Sequence, residues 1–233
     1  MKLRDLREQV WLANMELVKA GLVKLTWGNV SGIDRTKGLV VIKPSGVEYS
    51  RLKPAQLVIL DLEGKVVEGK LNPSTDTPTH LALYLGFHSI AGVTHTHSVN
   101  ATSFAQACMQ IPCFGTTHAD YFAGHIPVTR MLTSEETESD YELNTGRVII
   151  ECMGETDPMH MPGIIVAKHG AFTWGKSAMD SVKNSIVLEN VAEMAGNTIA
   201  LDPGAKPVPA YLLRKHYLRR HGENAYYGQV RTV

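Results

Sequence analysis

The chain has 233 residues, 44% hydrophobic and 20% charged, with 23 basic residues against 23 acidic. That is enough apolar material for one large α/β domain or two small ones, and the even charge balance argues for neither nucleic acid nor an acidic surface as the main partner. No apolar run approaches the roughly 20 residues of a membrane span, the mixed-charge start Met1-Lys2-Leu3-Arg4-Asp5 does not read as a signal peptide, and Cys108, Cys113 and Cys152 suit a reducing cytoplasm.

Leu3, Leu6, Val10, Ala13 and Leu17 recur at three- and four-residue steps, which predicts a helix stopped at Gly21. Leu22 to Leu25 reads as a short strand leading into Thr26-Trp27-Gly28-Asn29-Val30-Ser31. Gly28-Asn29 is either a tight turn or one wall of an anion site, since left-handed backbone turns N–H groups outward. Gly38 to Ile42 is a strand broken by Lys43-Pro44-Ser45-Gly46. A lysine, a hydroxyl and an unobstructed amide at a strand end can hold a phosphate, although the spacing is not a Walker loop. Leu57 to Leu62 and Lys65 to Glu68 form a hairpin about Glu63-Gly64.

In Asn72-Pro73-Ser74-Thr75-Asp76-Thr77-Pro78, Pro78 suits a first helical turn, with Asp76 or Thr77 as cap. The helix runs through Leu81 to Leu85 and ends at Gly86. Ser74 and Thr75 then lie at a helix N-terminus that favours anions. Asp76 is either that cap or a carboxylate turned toward a metal.

The apolar run Ile90 to Val93 leads into His95-Thr96-His97. On a strand, residues two apart share a face, so both imidazoles can reach one ion. Ser98 to Ala107 is a helix. Gly115-Thr116-Thr117-His118-Ala119-Asp120-Tyr121-Phe122 is a loop rich in proton-moving groups, in which Asp120 is either a general acid or base or an idle surface carboxylate. Thr133-Ser134-Glu135-Glu136 has the form of a capping box, starting a helix through about Leu143. Arg147 to Glu151 is strand or helix end. Gly163 to Val166 is a buried strand with His169 at its mouth, a third imidazole for the ion of His95 and His97. Ser177 to about Leu201 is the longest helix, a Pro- and Gly-rich link stops it, and Tyr211 to His221 is the last. The tail Asn224-Ala225-Tyr226-Tyr227-Gly228-Gln229 carries adjacent tyrosines, which at a terminus are usually docked. With no repeat or boundary, the pattern predicts one three-layer α/β domain with a mixed sheet.

Taken together and in this order, the segments at Thr26–Ser31, Lys43–Val47, Pro73–His80, His95–Ser98, Gly115–Phe122, Lys168–Gly170 and Ala225–Gln229 resemble the L-ribulose-5-phosphate 4-epimerases of the class II aldolase superfamily, over about residues 3 to 229. The resemblance implies a single α/β/α domain over 1–233 around a largely antiparallel sheet, with a C-terminal helix and tail (210–233) reaching a neighbouring subunit of a homotetramer. It implies a zinc site, with manganese or another divalent ion as the alternative, at His95, His97 and His169 with Asp76. It implies a phosphate pocket at Gly28, Asn29, Lys43, Ser45, Gly46, Ser74 and Thr75, with Arg219 as a further substrate-binding residue. Proton transfer falls to Asp120 and Tyr227, with His216 and Arg219 near the tail.

The implied activity is epimerisation of a cytoplasmic pentulose phosphate, L-ribulose 5-phosphate to D-xylulose 5-phosphate, by retro-aldol cleavage and rejoining, with no nucleic acid or membrane partner. To act as an acid, Asp120 would need its pKa raised above the usual ~3.9. Two departures stand out: Thr75 where many epimerases have a second serine, and Ala171 in place of a common proline. Asp76, where the aldolases of the superfamily carry Glu, points to the epimerase branch. The alternatives are a sugar-phosphate aldolase and a non-catalytic structural relative.

Overall fold

A computed structural model describes residues 2–227. Seven strands form one sheet: β1 (Asn29–Asp34), β2 (Leu39–Ile42), β3 (Val58–Asp61), β4 (Val66–Glu68), β5 (Gly92–Thr96), β6 (Gly163–Ile165) and β7 (Ala171–Gly175). Their spatial order is β4-β3-β2-β1-β5-β7-β6, and each neighbouring pair is antiparallel. The helices are α1 (Arg4–Lys19), α2 (Thr77–Gly86), α3 (Val99–Ala107), α4 (Thr116–Ala119), α5 (Ser134–Glu138), α6 (Tyr141–Met153), α7 (Ala178–Leu201) and α8 (Ala210–His221). Among the described residues, no helix is long and apolar enough to cross a membrane.

Because strand side chains alternate between faces, the sheet feeds two cores. Val40 and Val93 pack with α2, α3, α6 and the middle of α7, through residues such as Leu83, Ala105, Ile149 and Leu188. Val30, Val41 and Ile59 pack instead with α1 and the start of α7, through Val10, Leu17 and Val182. This is the expected α/β architecture with helices on both faces, except that the sheet is antiparallel between all its strands and not mixed. Two polar groups of α1 are buried with its apolar face. Arg7 donates to the carbonyl of Leu57 and pairs with Glu68 at 3.1 Å, and Asn14 donates to the carbonyl of Val10 at 2.8 Å.

Three local expectations are corrected and one strand not expected from the sequence is added. Leu22 to Leu25 is not a strand: Leu25 takes left-handed backbone (φ 54°), which breaks extension, and the strand begins only at Asn29. The helix capped at Thr133 ends at Glu138 and a separate one starts at Tyr141, so Arg147 to Glu151 lies inside α6. The capping box itself is present: the Glu136 N–H donates to Thr133 Oγ1 at 3.2 Å, and the Thr133 N–H to Glu136 Oε2 at 2.8 Å. The stretch around His118 is not bare loop, because Thr116–Ala119 makes a helical turn. Finally, Ala171–Gly175 forms β7, a central strand paired along its length with β5. Its five residues are all buried on both faces, so they lack the alternation that would have announced it.

Candidate active site

The adjacent strands β1, β5 and β7 bring their site-bearing ends together. Asn29 lies opposite His95, and His95 opposite Phe172, whose ring stacks on the His95 imidazole at 4.2 Å. His97 follows one residue after β5. His169 sits in the tight connection from β6 to β7, where the Val166 N–H donates to the Gly170 carbonyl at 2.8 Å. The left-handed residue of that turn is Lys168 (φ 62°). Gly170 answers a different need: a Cβ there would meet the Thr96 carbonyl oxygen at 2.7 Å, so only glycine lets the turn close against β5.

The three imidazoles converge. Ring centroids are 4.8 Å apart for His95–His97 and His95–His169, and 5.0 Å for His97–His169. Their candidate ligand nitrogens all lie within 4.8 Å of one another. The His95 Nδ1–H donates to the Ala171 carbonyl at 2.9 Å. A carbonyl only accepts, so His95 Nδ1 carries the hydrogen and Nε2 is the nitrogen left to face the cluster as a ligand. It stands 2.9 Å from His97 Nε2, a spacing made favourable by a cation or proton between them. Burial, then the neighbouring imidazoles, push His97 down to about 4 and His169 down to about 3. Neutral, inward-facing nitrogens are the donor set of a divalent ion, so the residues fit a metal.

Asp76 completes this side. Its carboxylate accepts from Asn29 Nδ2 at 2.6 Å, and it makes no side-chain cap to α2, so the capping role falls away. Burial raises its pKa, but the His95 and His80 rings and the Asn29 amide outweigh that and hold it below the usual carboxylate range. Behind it, His80 is fully buried, with Nδ1 2.7 Å from Ser31 Oγ, and burial pushes it down to about 3.

The same cavity, about 710 Å³, continues past Gly28, Asn29, Lys43, Ser45, Gly46, Ser74 and Thr75, so the expected metal residues and all the expected phosphate residues except Arg219 line one space. Gly28 has φ +75°, whereas Asn29 is already strand. The Ser74 N–H donates to the Lys43 carbonyl at 3.0 Å, tying the two segments together. Lys43 is almost wholly buried, its ammonium 4.8 Å over the Tyr49 ring, and burial brings it down to about 8 although Asp76 pulls the other way. A desolvated ammonium beside hydroxyls and an amide-rich helix start is an anion grip.

The remaining expected residues form a second cluster. Asp120, at the end of α4, takes a two-pronged pair from Arg219 (Nε to Oδ1 2.8 Å, Nη2 to Oδ2 2.6 Å), and His216 Nδ1 lies 3.2 Å from Oδ1. Tyr227 lies 4.8 Å from the Arg219 guanidinium, and its N–H donates to the Arg219 carbonyl. None of these four lines the histidine cavity of their own chain. Asp120 is buried, not idle at the surface. Burial raises it, yet the Arg219 and His216 hydrogen bonds prevail and lower its pKa, against the expected upward shift of an acid. The Gly228-Gln229 end of the tail pattern and the rest of the expected 210–233 segment beyond Tyr227 lie outside the described residues.

A profile of the Class II Aldolase and Adducin N-terminal domain family matches residues 8–195. The chain belongs to that family. It is 57% identical over 227 residues, 97% of its length and all of the relative's, to the curated L-ribulose-5-phosphate 4-epimerase UlaF of Salmonella paratyphi A, and equally so to that of Salmonella typhi. Among solved structures it resembles an L-fuculose 1-phosphate aldolase (TM-score 0.77, 23% identity, 91% of this chain and 94% of that one). It also resembles the L-fuculose-1-phosphate aldolase of Thermus thermophilus (TM-score 0.67, 24% identity, 88% and 98%). At such identities these class II aldolases share the fold.

Sequence reasoning missed Tyr141, Glu142, Thr102, Gln106 and Lys168 in the cavity wall. The first two were hidden by the misplaced helix boundary, which put them in the last turn of one helix instead of the first turn of the next. Thr102 and Gln106 sit one turn apart on α3, an i, i+4 spacing that could have flagged a shared face.

Proposed function

We propose that the protein is a metal-dependent L-ribulose-5-phosphate 4-epimerase that converts L-ribulose 5-phosphate to D-xylulose 5-phosphate. The observation carrying this is the 57% identity, over the full length of the relative, to curated epimerases, joined to the converged His95, His97 and His169. The inverted carbon bears a hydroxyl and no neighbouring carbonyl, so its C–H is not acidic. Inversion therefore goes through the adjacent carbon–carbon bond: it breaks to an enediolate and an aldehyde, the aldehyde turns, and the bond re-forms on its other face.

In this reading His95, His97 and His169, with Asp76 beside them, hold a divalent ion, zinc by preference. When bound, such an ion supplies Lewis acidity, worth several kcal/mol toward the charge that develops on cleavage. Lys43, Ser45, Gly46, Ser74 and Thr75, with Gly28 and Asn29, grip the phosphate, which keeps the aldehyde fragment from leaving while it rotates. Asp120, held ionised by Arg219 and His216, takes a proton on one face, and Tyr227 returns one on the other. Because these groups stand apart from the cavity of their own chain, they serve a neighbouring subunit, in a homotetramer. Three unpaired cysteines, Cys108, Cys113 and Cys152, favour a cytoplasmic setting.

The test is direct assay of L-ribulose 5-phosphate conversion, with an aldehyde trap present. Conversion without released aldehyde, abolished by a chelator and restored by zinc or manganese, is expected. Free aldehyde as the main product would make the protein an aldolase, and full turnover without bound ion would remove the metal from the reaction.

A further inference from the structure

We infer that Tyr141 is a positioning residue for the metal site: its hydroxyl holds the His169 ring so that Nε2 faces His95 and His97. This rests on the reading that the three histidines bind a divalent ion. Tyr141 Oη lies 3.0 Å from His169 Nδ1, and the two rings are stacked, with centroids 6.0 Å apart and planes 17° from parallel. With Nδ1 occupied by the hydroxyl, Nε2 is the nitrogen left for the cluster.

The three imidazoles are held differently. His95 is anchored by a backbone carbonyl of β7 and by the Phe172 ring beneath it. His169 sits in a connection whose Lys168 has left-handed backbone, and its Nδ1 bonds a side chain from a distant element. Of the three, His169 therefore depends most on a single removable group.

Tyr141 is itself fixed by the helix pair that places Asp76. It is the first residue of α6, and the Thr145 hydroxyl donates to its carbonyl at 2.9 Å. The buried Thr79 hydroxyl of α2 donates to the Glu142 carbonyl at 2.5 Å. Gly146 lets α6 sit tightly on α2, since a Cβ there would meet the Ala82 methyl at 2.6 Å. Asp76 immediately precedes α2. One packing contact between two helices thus sets both the carboxylate and the hydroxyl that flank the imidazoles. Groups that hydrogen-bond a ligating histidine's second nitrogen raise metal affinity about 10- to 100-fold.

The experiment is zinc titration of the full-length protein against a chromophoric chelator, comparing wild type with Tyr141→Phe. The visible spectrum of each after loading with cobalt is the second readout. Tyr141→Phe keeps the ring and is expected to weaken zinc binding about 10- to 100-fold, with a shifted cobalt band. The melting temperature of the metal-free protein should stay unchanged. Tyr141→Met, which removes the stacking as well, should bind at least as weakly and keeps the question open to test if the phenylalanine variant misfolds. An unchanged zinc affinity and an unchanged cobalt spectrum in either folded variant would overturn the assignment. A wild type that binds no zinc at all would instead sink the metal reading on which it rests.

Discussion

The molecule carries two polar clusters of opposite construction. The histidine cavity is assembled from the ends of β1, β5 and β7 and from the start of α2, among residues such as His95, Thr96 and Ser74 that are nearly inaccessible. The Asp120 cluster is made by α8, a helix with no buried residue, laid against the single turn of α4. Tyr227 at its edge is half exposed, and Tyr211 and Tyr226 stand out further. In the first cluster His95 is buried and stacked on Phe172, while His169 is half-buried and His97 is exposed at the cavity mouth. The second holds one carboxylate with a bidentate ion pair, and its exposed rim is aromatic, with Tyr226 and Tyr227 lying against the Lys215, Arg219 and Arg220 side chains of α8. On the proposed reading, the cavity of a neighbouring subunit covers this cluster.

The sharpest way to break this comparison is to damage the open cluster alone. Asp120→Asn is expected to cut turnover roughly 10²- to 10⁴-fold, the usual worth of a positioned proton-transfer group, while the metal content is unchanged. Removing the residues after Glu223 should do the same with the fold intact, as read by circular dichroism. Loss of bound metal in either variant would show that the clusters are not separable.

Damage inside the histidine cavity should look different. On the proposed reading Lys43→Met removes a charge-assisted bond to phosphate, a kind of bond worth about 1.5–3 kcal/mol. It is expected to lower kcat/KM roughly 10- to 100-fold, chiefly through KM. An effect confined to kcat would move Lys43 from grip to chemistry.

The smallest expected effect is on stability. Burial pushes His80 down to about 3 and His118 down to about 4, and in chelated protein His97 and His169 join them, whereas unfolded histidines titrate near 6.5. Between those values the unfolded chain binds more protons than the folded one, so stability falls as pH falls. Chelated protein should lose about 1 kcal/mol per pH unit for each such histidine below pH ~6.5, and less for the exposed His97, which solvent screens. Calorimetric scans at several pH values give the slope, and a flat profile down to pH ~4 would mean that these rings are not held neutral.

The contrast also explains what could be read from sequence. His95-Thr96-His97 and the Lys43 and Ser74 segments were legible because they lie at strand ends and at a helix start, where period and punctuation fix direction. The longest helix, with Ser177 capping through the Asp180 N–H at 3.1 Å, was legible for the same reason. What failed was local backbone chemistry: a left-handed Leu25, a break at Ser139-Asp140 between two short helices, and a strand of unbroken burial at Ala171–Gly175. The Tyr141–His169 contact was out of reach, since it spans 28 residues and depends on where α6 begins. Asp120 was found, but its partner was not paired with it, because Arg219 stands 99 residues away.

Mixing decides between one site per chain and a site shared across chains. His97→Asn and Asp120→Asn proteins, each inactive alone, are to be unfolded together, refolded with zinc and assayed for D-xylulose 5-phosphate formation. Recovered activity is expected, because mixed assemblies join an intact histidine cavity to an intact Asp120 cluster from another copy. A refolded mixture as inactive as its components, at the same oligomeric size as wild type, would contradict the division of labour between the two clusters.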